Sequence, residues 1–365
     1  MKKLRVGVIG LGIGRSHIRG YREHPRAELV AAADLNATRR EEARSAYAVP
    51  LLFSNAEEML ATADLDVVSL CVPNVLHRSL TLAALEAGCH VLCEKPMAMN
   101  SREAEEMLAA AERAQRRLMV NFSFRFNSQA VALKRRVESG ILGRIYFGRT
   151  LWHRRRGVPG FGGWFGRKEF SGGGPLIDLG VHRLDLALWL MDYPEPEWVL
   201  ANTWNGLTKH VAQKEGKLFD VEDFATAMIR FRDGSMLELE ASWAANIKQN
   251  ELMVTRLFGT HGGLVHRNRN EAYEFQAELF IEREGSQFDM QLHEPAPLPK
   301  SPMWHFIDAI LEGTPHPAPG EEGLIVQQLL DAIYLSAKSG EPIRILPPEE
   351  RRGTVPQTEL TIPVV

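Results

Sequence analysis

The chain has 365 residues, enough for two domains at roughly 100–200 residues each, and its 45% hydrophobic and 24% charged residues are those of a soluble globular protein. That composition excludes a disordered chain, a collagen-like repeat and a small disulfide scaffold, and three cysteines fit a reducing cytoplasm. With 43 Lys+Arg against 46 Asp+Glu, nothing favours nucleic acid, and no apolar run reaches the ~18–20 residues of a membrane helix, so neither partner is expected.

Lys2 and Lys3 ahead of Val6-Gly7-Val8-Ile9 imitate a secretory signal, but four glycines interrupt the apolar region and Arg15 ends it without a cleavage site. Residues 4–9 read instead as a buried strand, leading through a glycine-rich turn into a helix from about Arg15. Strands follow at 28–34, 66–72, 90–93 and 118–121. Helices fall at 37–46, 76–87 and 101–116, with Gly88 stopping the second and Ser101 capping the third. This alternation predicts right-handed βαβ units and a doubly wound parallel sheet over residues 1–125.

The pattern then changes to longer strands at 145–152, 198–204, 224–232, 235–243 and 252–258, with an Asp233-Gly234 hairpin signal between the third and fourth. Helices are expected near 175–191, 303–312 and 321–338, the last two after a Pro-rich loop, Pro295–Pro302. The expectation for residues 126–365 is an α+β domain with one open, mainly antiparallel sheet, in an α/β protein overall.

The first turn reads Gly10-Leu11-Gly12-Ile13-Gly14-Arg15. A dinucleotide fingerprint wants G-x-G-x-x-G between strand and helix, one glycine for the tight turn and the next for close approach of a pyrophosphate. Gly10 and Gly12 fit, whereas Arg15 stands in the third position and Gly14 one earlier. Asp34, 24 residues after Gly10, ends the second strand, where a carboxylate accepts hydrogen bonds from ribose hydroxyls and repels a 2′-phosphate. NAD is therefore expected over NADP, although Arg39 and Arg40 are near enough to pair with a phosphate. Pro73-Asn74 with His77, and Glu94-Lys95-Pro96, occupy two further strand ends, where open α/β sheets bind ligands. Pro96 fixes the local turn and allows a cis bond.

The most informative segment is Gly172-Gly173-Gly174-Pro175, followed by Asp178, His182 and Asp185 in an otherwise apolar helix. At ~100° per residue these three polar side chains share one face of a buried helix, so that face meets something polar. Three arrangements satisfy it: an internal core network, a histidine general base with its carboxylate, or a metal site. Cys89 and Cys93 lie in the other domain and read as buried apolar thiols, so no metal is expected.

Together these motifs, with Phe231-Arg232-Asp233-Gly234 and Gly259-Thr260-His261-Gly262-Gly263, resemble the Gfo/Idh/MocA family (glucose–fructose oxidoreductase and inositol dehydrogenase-like proteins) over nearly the full length. The departure is Arg15, which bears on helix–strand closeness more than on cofactor binding. The resemblance implies an N-terminal Rossmann domain that binds NAD(P) through Gly10, Gly12, Ile13, Gly14, Asp34, Pro73, Asn74, His77, Glu94 and Lys95. It implies a catalytic set of Lys95, Asp178 and His182, and a sugar or polyol pocket drawing on Arg125, His153, Arg155, Trp164, Asp178 and His182. His182 then takes a hydroxyl proton, Lys95 stabilises the developing alkoxide, and Asp178 positions either the neighbouring hydroxyl or the imidazole. The Arg156-Gly157-Val158-Pro159-Gly160 and Phe219–Asp223 stretches are more similar to glycoside-oxidising members than to compact inositol dehydrogenases.

The expected activity is an NAD-dependent dehydrogenase of a sugar, glycoside or cyclitol. An NAD-recycling glycoside hydrolase of the same fold and a non-catalytic sensor are the alternatives. Met228, Ile229, Leu237, Leu239, Trp243 and Leu252 are expected to supply an uncovered apolar sheet face, hence a homodimer or homotetramer.

Overall fold

The computed structural model describes residues 3–346, which form two sheets. The first holds β1 (Leu4–Ile9), β2 (Ala27–Ala33), β3 (Leu51–Phe53), β4 (Val67–Leu70), β5 (His90–Cys93) and β6 (Leu118–Val120), all parallel, in the order β3-β2-β1-β4-β5-β6. Helices α1 (Gly14–Arg22), α2 (Ala37–Tyr47), α3 (Ala56–Thr62), α4 (His77–Glu86) and α5 (Ser101–Ala114) connect them. The order reverses between β1 and β4, and the crevice beyond those strand ends is where such sheets hold ligands. Val6, Val8, Val67, Val68, Val91 and Leu92 are fully buried, as expected of a sheet covered on both faces.

Two elements of this sheet escaped the sequence reading. β3 has three residues and α3 seven, both too short to display a period. The strand expected to run to Val72 ends at Leu70, leaving Cys71–Pro73 to enter the crevice. The cap of α5 is Asn100, not Ser101: Asn100 Oδ1 accepts from Glu103 N at 3.0 Å while Glu103 Oε2 accepts from Met99 N at 3.2 Å.

After α6 (Ser128–Glu138), the second sheet comprises β7 (Ile145–Arg154), β8 (Pro196–Trp204), β9 (Phe224–Phe231), β10 (Met236–Ser242), β11 (Glu251–Gly259), β12 (Gly262–Arg269), β13 (Glu274–Arg283), β14 (Ser286–Leu292) and β15 (Ile343–Arg344). Its order is β14-β13-β12-β11-β7-β10-β9-β8-β15, and only β7–β10 pair in parallel. The Asp233-Gly234 turn closes as expected: Gly234 has φ +86°, and Asp233 Oδ1 accepts from Ser235 N at 2.8 Å. The last strands were not anticipated; β14 alternates Phe288, Met290 and Leu292 with polar residues but is almost wholly exposed.

Helices α7 (Lys168–Ser171), α8 (Val181–Leu190), α9 (Thr208–Lys214), α10 (Pro302–Glu312) and α11 (Gly320–Ser339) complete the described chain. A π-helical turn, Leu176–Gly180, runs directly into α8, which packs on β7. The sheet face under the helices buries Ile229, Leu237, Leu239 and Trp243, each at 0–1% exposure, so these four do not form the open face expected of them. Alternation and register place Met228 and Leu252 on the other face, with Phe147, Leu151, Val254 and Phe258. The late helices return to the first sheet: α10 packs on α1, α11 packs on both α5 and β8, and Val120 N donates to Ala318 O at 3.1 Å.

Candidate active site

The carboxyl ends of β1, β4 and β5, the end of β7 and the π-helical turn open onto one cleft of about 1040 Å³. At one end, Gly10 has φ +88°, and a Cβ there would lie 2.2 Å from the Cys71 carbonyl oxygen. A Cβ on Gly12 would meet nothing nearer than Arg39 at 3.8 Å, so bare main chain faces the cleft. Gly14 does the packing that the fingerprint assigns to its third glycine, since its Cβ would meet Val8 at 2.9 Å. Arg15 points outward, 3.3 Å from Glu42. Among the described residues no side chain caps α1, so its first N–H groups remain available to an anion.

Asp34 Oδ2 accepts from Leu11 N at 2.7 Å and Oδ1 from Asn36 N at 2.8 Å, tying the carboxylate to the turn while leaving lone pairs free. Arg39 lies 3.5 Å from it and lines the cleft, whereas Arg40 donates to the main-chain oxygens of Asp34 and Leu35. Ile13, Pro73 and Asn74 also line the cleft, and Asn74 Nδ2 donates to Ser171 O at 2.7 Å. An uncapped helix start, a bare glycine turn and a strand-end carboxylate fit a dinucleotide: N–H groups for the pyrophosphate, oxygens for the ribose.

His77 is placed differently. It is fully buried, outside the cleft lining, with Nδ1 2.8 Å from Pro96 O and Nε2 3.0 Å from Val72 O. It brackets the two strand-end loops; burial pulls its pKa down against those carbonyls. Glu94 lines the cleft, 2.8 Å from His17 Nε2, and accepts from Asn121 Nδ2 at 2.5 Å. Burial opposes its ionisation, but His17, Asn121 and Lys95 outweigh it and hold the carboxyl below its ordinary range.

Lys95, preceding a cis peptide to Pro96, meets Asp178 from the π-helical turn. Its Nζ donates to Asp178 O at 2.8 Å and to Asp178 Oδ1 at 3.2 Å, leaving one proton for a ligand. Asp178 Oδ2 accepts from Trp243 Nε1 at 3.0 Å. The carboxylate thus orients the lysine and not the imidazole. His182 Nδ1 has no partner among the described residues, and its ring rests 5.0 Å from Phe124 and 5.8 Å from Trp152, between centroids. Burial, then the positive charges of Lys95, Arg183 and Arg154, drives the His182 pKa well below 6.5, so the ring is a neutral acceptor. Asp185, in α8 with His182, does not join His182 and Asp178 at the cleft and is buried at 1% exposure. It pairs instead with Arg125 Nη2 at 2.5 Å, both side chains 1% exposed.

That pairing takes Arg125 out of the cleft. Its remaining donors go to Glu322, Pro317 O and Tyr193, so it ties α8 to the start of α11. Along β7 the side chains alternate: Trp152 and Arg154 face the cleft, while His153 turns to the opposite face, 3.2 Å from Glu240. Arg155 is exposed, its nearest acceptor the Lys248 main-chain oxygen. Of the residues expected around substrate, Trp164 does line the cleft, stacked on Phe165 at 3.9 Å. The sequence reading missed Arg154, Trp152, Phe124, Asn121 and Tyr273. The strand alternation running from buried Trp152 was the signal for Arg154.

Comparisons with known proteins agree with this fold. The model described as "Oxidoreductase family, NAD-binding Rossmann fold" matches residues 4–122, and the GFO/IDH/MocA C-terminal domain matches residues 130–265. The chain is 34% identical over 351 residues to D-glucoside 3-dehydrogenase of Escherichia coli K12, covering 94% of this chain and 97% of that protein. It is 27% identical over 354 residues to myo-inositol 2-dehydrogenase of Thermotoga maritima, covering 96% and 100%. Among solved structures, levoglucosan dehydrogenase in complex with NADH and levoglucosan superposes with a TM-score of 0.82 at 25% identity, covering 94% of this chain and 100% of that one. The chain belongs to the Gfo/Idh/MocA family of oxidoreductases.

Proposed function

We propose that the protein is an NAD-dependent dehydrogenase that oxidises a secondary hydroxyl of a sugar, glycoside or cyclitol. The observation that carries this reading is a neutral His182, its Nδ1 without a partner among the described residues, beside an oriented Lys95 in the same cleft as a dinucleotide-shaped turn. Nicotinamide, when bound, supplies the hydride acceptor. His182 takes the hydroxyl proton as the C–H bond breaks, and the third Lys95 proton meets the oxygen as negative charge grows on it. Asp178 holds Lys95 in place, itself anchored by Trp243. Trp164 and Phe165 offer a flat apolar face to a ring. The Asp34 carboxylate supports NAD over NADP.

The same reading divides the chain into a cofactor domain, 1–125, and a substrate and assembly domain, 126–365, in a cytoplasmic homodimer or homotetramer. Among the described residues no helix is long and apolar enough to cross a membrane. The test is NADH formation with NAD over a panel of polyols, pyranoses and glycosides. NADH accumulating with an oxidised sugar is the expected result. Aglycone release without NADH indicates the NAD-recycling hydrolase, and sugar binding without either product indicates a sensor.

A further inference from the structure

The substrate end of the cleft contains two cations, and each is cancelled by its own carboxylate. Lys95 pairs with Asp178 at 3.2 Å, their side chains 14% and 15% exposed. Arg154 pairs with Glu251 at 2.8 Å, their side chains 23% and 16% exposed. Glu251 is not free to leave: its Oε1 also accepts from Trp152 Nε1 at 2.7 Å. Arg154 is equally fixed, since Nη2 donates to Tyr273 OH at 2.9 Å.

From this we infer that Glu251, by neutralising Arg154 at the substrate wall, restricts the enzyme to uncharged sugars and rejects ring substrates carrying a carboxylate. The inference rests on the dehydrogenase reading above and names the substrate class within it. An isolated arginine on a pocket wall is the usual receptor for a carboxylate, through two parallel N–H donors. Here the Arg154 Nε donor and the charge are already spent on Glu251. A uronate entering the cleft therefore gives up its hydration and finds both cations of the substrate wall already paired, while Arg183, buried at 0% exposure, does not line the cleft, so pairing does not return that cost. A neutral pyranose loses nothing by the same arrangement. Its hydroxyls donate to the remaining lone pairs of Asp178, which lines the cleft.

The experiment compares the best neutral pyranoside of the panel with the uronate that has a carboxylate in place of its hydroxymethyl group. The readouts are kcat/KM at saturating NAD and dissociation constants on the NADH-loaded protein. Wild type should favour the neutral sugar by about 30-fold or more. Glu251→Gln keeps the acceptor and the shape but uncovers Arg154, and should narrow that ratio about tenfold. Arg154→Met should instead widen it, because Glu251 then faces the ligand alone. Wild type accepting both sugars within about threefold, or a Glu251→Gln ratio equal to wild type, overturns the inference. If Glu251→Gln does not fold, the Arg154→Met ratio decides, and narrowing there contradicts the charge rule. Absence of turnover with every neutral sugar counts against the dehydrogenase reading, while the ratio of dissociation constants still tests the charge rule.

Discussion

His182 sits among cations. Lys95, Arg183 and Arg154 all disfavour its protonated form, burial adds to them, and Asp178, four residues earlier, is already engaged by Lys95 and Trp243. The base form is therefore complete at neutral pH, and the acid limb of kcat/KM due to His182 should lie below pH 6.5. Arg183 is fully buried, and among the described residues its Nε and Nη1 are unpartnered while its guanidinium meets the Thr255 hydroxyl and the Phe124 ring. Removing that charge as Arg183→Met favours protonation of His182, so the limb should move to higher pH, read from the pH profile. An unmoved limb contradicts the electrostatic role. Replacing an uncompensated buried charge by an apolar chain costs little folding stability. Asp34→Ala should narrow the preference for NAD over NADP, measured by titrating both coenzymes, and tighter NADP binding by the wild type contradicts the assignment.

Placement of these residues was legible where a local motif coincides with a strand end, as for Gly10, Asp34 and Lys95, or with one helix face, as for Asp178 and His182. It was not legible where a partner is distant in sequence. Arg125 is drawn into the protein by Asp185 and Glu322, 60 and 197 residues away. His153, Arg154 and Arg155 are three successive polar residues at a strand end, and only the register of β7 decides which one enters the cleft.

At the scale of elements, the glycine run before α8 acquires a reason beyond starting a helix. Glu222 accepts from Gly174 N at 2.9 Å and Leu176 N at 3.1 Å, and from Tyr334 of α11 at 2.9 Å. A carboxylate from a distant loop thus caps the turn that carries Asp178. The fit leaves no room: a Cβ on Gly173 would lie 1.8 Å from the Tyr334 hydroxyl oxygen, and one on Gly174 would lie 2.2 Å from Glu222 O. Gly174→Ala should therefore lower the melting temperature markedly, by about 2 kcal/mol or more of stability. Glu222→Gln retains the shape and should be milder in melting but should lower kcat, because the turn holding Asp178 and Lys95 loosens. Equal melting temperatures for Gly174→Ala and wild type contradict the clamp. The π-helical winding here had no sequence signal.

For the whole molecule, the open face of the second sheet mixes apolar side chains, Phe147, Leu151, Val254 and Phe258, with ion pairs of Arg149 to Glu238 and Glu240. Such a broad face with an apolar component ordinarily finds a partner. Light scattering at micromolar concentration should give a dimer or tetramer, and Leu151→Asp should shift it toward monomer. A wild-type monomer contradicts the proposed assembly. The doubly wound half was readable because its strands and helices alternate locally. Four of the six residues expected on the open face, Ile229, Leu237, Leu239 and Trp243, were misassigned because apolar character alone does not tell which face of a strand the helices cover, and neighbours such as Met228 and Ile229 point to opposite faces.

The central claim is that His182 is the proton acceptor in hydride transfer to NAD. It is tested most directly by single-turnover NADH formation with His182→Ala, alongside its melting temperature and NADH affinity. The expected variant folds like wild type, binds NADH as tightly, and transfers hydride about 10²–10⁴ times more slowly. A His182→Ala protein that folds normally and transfers hydride at the wild-type rate contradicts it.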